Sequence, residues 1–118
     1  IYPAKPISGF VFAMSPEEKE EAARQQNAQA ADIQKTAEAI QPALTVLDEL
    51  NVALSCGMVT QENAEKLIDA ALAFGDVVST GRNAPEWLRA RADYVSEIAA
   101  QKHPFETEKL AAREGIEY

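Results

Sequence analysis

One cysteine, one histidine, five glycines and six prolines are all that these 118 residues hold of those types. Cys56 alone cannot close an intrachain disulfide, so a disulfide-stapled fold is excluded and a reducing compartment fits. His103 is the sole imidazole, and neither it nor Cys56 belongs to a pair at ligand spacing, so no zinc centre is expected. The calcium-loop pattern, the phosphate-binding glycine loop and the dinucleotide glycine fingerprint are all missing, and no cofactor is expected. No apolar run approaches the roughly 20 residues that a membrane helix needs. The start of the chain also lacks the basic segment, apolar run and small-residue cleavage site of a signal peptide. The expected location is cytoplasmic.

Positive charge is scarce as well. Eleven basic residues face 19 acidic ones, giving a formal net charge of −8. Such a surface repels phosphate backbones and anionic headgroups, so direct nucleic-acid or membrane binding is not expected. What remains is a 47% apolar, alanine-rich chain of a length suited to one core. With few helix breakers, that composition favours helix. The expected fold is all-α: a small bundle with a long first helix and an extended N-terminal arm.

Pro3 and Pro6 keep residues 1–14 out of helix, and Phe10 and Phe12 would share one side of an extended arm. That arm would lie across its own bundle or cross to a partner. Ser15-Pro16-Glu17-Glu18 then reads as a helix start: serine cap, proline in the first position, glutamate at the capping-box position. A three-and-four spacing follows through Ala23, Gln26, Ala30, Ile33, Ala37, Ile40, Leu44, Leu47, Asn51 and Leu54. A helix over 16–54, kinked near Pro42, would run to about 60 Å. A compact domain of this size has a radius of gyration of only about 13 Å. Such a rod calls for a second copy, with Phe10, Phe12, Ala23, Gln26, Ala30, Ile33, Ala37 and Ile40 as interface candidates. Asn51 on that seam either fixes helix register or faces water.

Further helices are predicted over 61–79, capped by Thr60; over 84–101, capped by Asn83; and over 104–114. The inward stripe of the first is Ala64, Leu67, Ile68, Ala71, Leu72 and Phe74. That of the next is Trp87, Leu88, Ala92, Tyr94, Val95, Ile98 and Ala99. No Lys or Arg occurs from Thr36 to Glu65, whereas Glu38, Asp48, Glu49, Glu62 and Glu65 do, and Asp69 extends the bias. These residues could form one acidic face.

With no catalytic constellation in view, the expected function is non-enzymatic: an interaction or assembly protein, homodimeric or larger. An alternative is an acidic inhibitor, such as mobile elements encode, that imitates phosphates and blocks a basic site on a host nucleic-acid-handling protein. A remoter alternative is a small thiol enzyme using Cys56 and His103.

Overall fold

The computed structural model describes residues 1–2, 11–103 and 107–110. A single 3-10 turn, Val11–Ala13, precedes the first helix where an extended arm was expected. Phe10 lies outside the described residues, and Phe12 is exposed.

Helix α1, Pro16–Ile40, begins as its sequence dictates. The Glu18 N–H donates to Ser15 Oγ at 3.2 Å, and the Ser15 N–H donates to Glu18 Oε2 at 2.7 Å. The far end departs from the expected rod. Gln41 takes a left-handed conformation with φ 47°, and its N–H closes on the Ala37 carbonyl at 2.8 Å. Pro42 follows, with no N–H to donate and a ring that would clash one turn back. The helix stops there rather than kinking. Its 25 residues reach about 37 Å, so no 60 Å rod exists.

The chain then forms strand β1, Leu44–Leu47, not helix. After a turn come the short helix α2, Leu50–Ser55, and helix α3, Gln61–Leu72, capped by the Thr60 hydroxyl as its sequence predicts. Helix α3 ends at Leu72, and Asp76–Ser79 forms strand β2, which was expected to continue the helix. The two strands pair in parallel, Leu44 opposite Asp76 and Leu47 opposite Ser79. The all-α expectation is therefore wrong: this is an α/β chain with a helical crossover between parallel strands. Thr45-Val46 and Val77-Val78 are β-branched pairs suited to a pleated surface. A short apolar run, however, can be helix or buried strand by spacing alone.

Helix α4 covers only Glu86–Arg91 of the expected 84–101. Asn83 does not cap it; it sits left-handed at φ 56°, and Pro85 occupies the cap position. Trp87 and Leu88 pack on the core, but Ala92 is already extended and Tyr94, Val95 and Ile98 are exposed. With Tyr94, Val95 and Ile98 exposed, packing adds little there, and propensity alone does not sustain a helix through β-branched Val95 and Ile98. The expected helix over 104–114 falls largely outside the described residues.

The core gathers Ala30 from α1, Leu47 from β1, Leu50 from α2, Val59 and, from α3, Ala64, Leu67 and Ile68. The small seam of α1 thus faces its own α3. Ala30 and Ala37 are buried within the chain, and Ile33 packs against the same cluster, while Ile40 is exposed. Asn27 fastens this packing. Its Nδ2 donates to the Met58 carbonyl at 3.1 Å, and its Oδ1 accepts from the Thr60 N–H at 3.0 Å and Asn63 Nδ2 at 2.8 Å. Among the described residues no helix is long and apolar enough to cross a membrane.

Candidate active site

Parallel pairing in this register brings the carboxyl ends of β1 and β2 side by side, and the residues that leave them meet there. Asp48 and Glu49 follow β1; Thr80, Gly81 and Arg82 follow β2. The Thr80 hydroxyl donates to Asp48 Oδ1 at 2.6 Å and accepts the Glu49 N–H at 3.0 Å. One hydroxyl thereby links both acidic residues of the first loop to the second. Asp48 and Glu49 themselves remain exposed.

The backbone around this pair is unusual. Glu49 is left-handed at φ 57°, a conformation that costs a residue with a Cβ about 1–2 kcal/mol. Gly81 lies at φ 115° and Asn83 at φ 56°. Three positive-φ residues therefore fall on the two loops that leave the carboxyl ends of the strands. Strain of this kind persists where surrounding contacts over-determine it, and it concentrates at functional sites. At Gly81 a Cβ would also be tight, 3.2 Å from Asn51 Cβ and from Val52 N.

The other sequence-derived candidates are dispersed or already paired. Glu38 lies on α1 and accepts from Gln34 Nε2 at 3.0 Å. On α3, Glu62 accepts from Lys66 Nζ at 2.7 Å, Glu65 accepts from Gln61 Nε2 at 2.7 Å, and Asp69 pairs with Arg91. The expected acidic face thus divides between a helix surface with local partners and the Asp48–Glu49 loop. Arg89 pairs with Glu86 and Arg91 with Asp69, whereas Arg82 belongs to the strand-end loop. Ala23 and Gln26 lie partly buried on α1. Cys56 is exposed at the end of α2. No group of three or more metal-ligating side chains clusters among the described residues.

Sequence reasoning missed Thr80, Gly81 and Arg82 as site residues. The available signal was a β-branched apolar run ending in Asp-Glu and a second one ending in Thr-Gly-Arg. In open parallel α/β sheets, ligands bind outside the carboxyl ends of the strands. Fold and site together define a parallel α/β chain whose strand-end loops carry Asp48, Glu49, Thr80 and Arg82.

The family model described as ATP:corrinoid adenosyltransferase BtuR/CobO/CobP matches residues 2–118, and the chain belongs to that family. It is similar to a corrinoid adenosyltransferase of Pseudomonas aeruginosa, 39% identical over 75 residues, which cover 64% of this chain and 36% of that protein. It is also similar to a corrinoid adenosyltransferase of Sinorhizobium sp, 37% identical over 76 residues, covering 64% of this chain and 35% of that protein. The matched stretch spans about a third of the length of each relative. No solved structure gives a significant match. The family is one of enzymes, which overturns the expectation of a non-enzymatic assembly protein and, with it, the acidic-inhibitor alternative; the activity in the family's name is adenosyl transfer, not that of the small thiol enzyme that was the remoter alternative.

Proposed function

We propose that the protein acts in transfer of the adenosyl group of ATP to a corrinoid, and that the β1 and β2 exit loops face the nucleotide. The observation that carries this reading is the Asp48–Thr80 hydrogen bond at the carboxyl ends of two parallel strands, in a chain of this family. Taking the adenosyl group from ATP forms a bond from the reduced corrinoid, which supplies the electron pair, to the 5′ carbon and breaks the bond between that carbon and the triphosphate oxygen. The triphosphate leaves with the electron pair of the broken bond and gains negative charge. Arg82 stands at the same end of the sheet as Asp48 and offers a fixed cation to such an anion. Exposed Asp48, with one oxygen hydrogen-bonded to Thr80, suits a magnesium-type ion carried by the phosphates, because such ions keep several waters and take only one or two carboxylates. Glu49 is held beside it by the same hydroxyl.

The test is an adenosyl-transfer assay on the full-length protein with ATP and a reduced corrinoid. The expected products are adenosylated corrinoid and inorganic triphosphate in equal amounts. Asp48→Asn keeps the shape but removes the charge, and should lower kcat/KM about 100-fold with folding intact. Absence of transfer by the unaltered protein would reject the function. Full activity in Asp48→Asn would reject the site.

A further inference from the structure

Asn51 is the one buried polar side chain among the described residues, 7% exposed, and every hydrogen bond it makes across the fold goes to the β2 exit. Its Oδ1 accepts from Ser79 Oγ at 2.6 Å. Its Nδ2 donates to the Gly81 carbonyl at 3.1 Å. Its backbone N–H donates to the Thr80 carbonyl at 3.1 Å. A carbonyl can only accept, so the Gly81 contact fixes which end of the amide is nitrogen, and the Ser79 hydroxyl must then be the donor. Three consecutive residues, the last of β2 and the first two of the second loop, are thus gripped by one residue of α2, three positions after Asp48. A Cβ at Gly81 would be tight against the first turn of α2, 3.2 Å from Asn51 Cβ and Val52 N.

We propose that Asn51 is a positioning residue for adenosyl transfer. By clamping Ser79–Gly81 to the start of α2, it sets the separation between the Asp48–Glu49 loop and the Thr80–Arg82 loop. This rests on the functional reading above and goes beyond it, since Asn51 touches neither Asp48 nor, on this reading, any reacting atom. An asparagine is required because the position needs an acceptor toward Ser79 and a donor toward Gly81 at once. Leucine would offer neither, and a carboxylate would set an acceptor against the Gly81 carbonyl.

That last point supplies the test. In Asn51→Asp the ionised carboxylate opposes the Gly81 carbonyl and opens the clamp. The neutral acid can donate to Gly81 while accepting from Ser79, and closes it again. Burial and the facing carbonyl both disfavour the charged form and raise the introduced carboxyl's pKa. The titratable or charged groups on the two loops are Asp48, Glu49 and Arg82, all present in the unaltered protein, which serves as the control. On lowering the pH from about 8 to about 6, the range into which burial carries carboxyl pKa values, kcat of Asn51→Asp should rise toward that of the unaltered protein. The unaltered protein should lack that limb. Asn51→Ala should lose about 10–100-fold in kcat, with a smaller change in the KM for ATP, and should not recover at lower pH.

If Asn51→Asp does not fold, Ser79→Ala removes one side of the clamp from outside the helix and should still lower kcat by about tenfold. A pH profile for folded Asn51→Asp parallel to that of the unaltered protein would overturn the proposal, as would unchanged kcat in Ser79→Ala. Failure of the unaltered protein to transfer adenosyl groups would instead overturn the function itself, so the two failures are distinct.

Discussion

Thr80 and Asp48, 32 residues apart in sequence, share a hydrogen bond of 2.6 Å in which the threonine hydroxyl donates to the aspartate Oδ1. The same hydroxyl accepts the Glu49 N–H, so its removal would leave both without that partner. Thr80→Val keeps the shape and loses both bonds. A net loss of about 1 kcal/mol in unfolding free energy is expected, measured by urea denaturation, because these groups can rebind water. The effect on adenosyl transfer should be larger in proportion, about tenfold in kcat/KM, since Asp48 loses its orientation. Thr80→Ser should stay near the unaltered protein in both measurements. Equal losses in Thr80→Val and Thr80→Ser would show that the hydroxyl is not what matters.

Gly75 and Ala43 meet where the chain enters the two strands. The Asp76 N–H donates to the Ala43 carbonyl at 3.0 Å, and a Cβ on Gly75 would overlap that carbonyl and lie 2.6 Å from the Ala43 Cα. Both neighbours are backbone, so neither can swing aside. Gly75→Ala should therefore cost about 3 kcal/mol, the upper end for overpacking, and depress thermal stability accordingly. A melting temperature equal to that of the unaltered protein would contradict the close approach of the strands at this point. On an isolated helix the same change would be stabilising, so the sign of the effect separates strand entry from the continuous helix that the local spacing suggests.

Glu62 offers a pH-dependent check on α3. The hydrogen bond from Lys66 Nζ, and after it the charge of that ammonium, hold the Glu62 carboxyl below its ordinary 4.5. A carboxyl lowered in the folded state binds protons less readily there than in the unfolded chain. Its stabilising contribution is therefore present above the unfolded value and disappears as the pH falls through the lowered folded value. Both side chains are exposed, so the contribution is small and weakened by salt. A carboxyl-carbon NMR titration should place the Glu62 midpoint below 4.5, and Lys66→Met should return it to the ordinary value. A midpoint unmoved by that substitution would show that the pair does not form in solution.

Some of this molecule can be read locally. Ser15 and Thr60 cap helices because a short hydroxyl side chain reaches an N–H only three residues on, whatever the rest of the chain does. The inward stripe Ala64, Leu67, Ile68 and Ala71 follows helical spacing and is buried as that spacing implies. Leu72 continues the same stripe, yet it is 48% exposed, because the helix ends there and the chain turns toward β2.

The strands could not be read in the same way. Leu44 and Leu47 sit in helical phase with Ala37 and Ile40, so a four-residue strand passes for the next turn of a helix. Asn51 fitted equally well as a polar residue on a helix seam or as one facing water. It is neither, because its three partners are Ser79 at the end of β2 and Thr80 and Gly81 just after it.

Composition and local pattern by themselves determined where α1 and α3 start, which face of α3 turns inward, and that Pro42 interrupts the first helix. Those outcomes depend on interactions spanning one or two helical turns. Only tertiary structure decided that residues 44–47 and 76–79 are strands and that Asp48, Asn51, Thr80 and Gly81 belong to one place. A strand's hydrogen bonds are made to a different part of the chain. Until that partner is in position no local signal distinguishes the strand from a helix, and the residues at its end do not yet have the neighbours that make them a site.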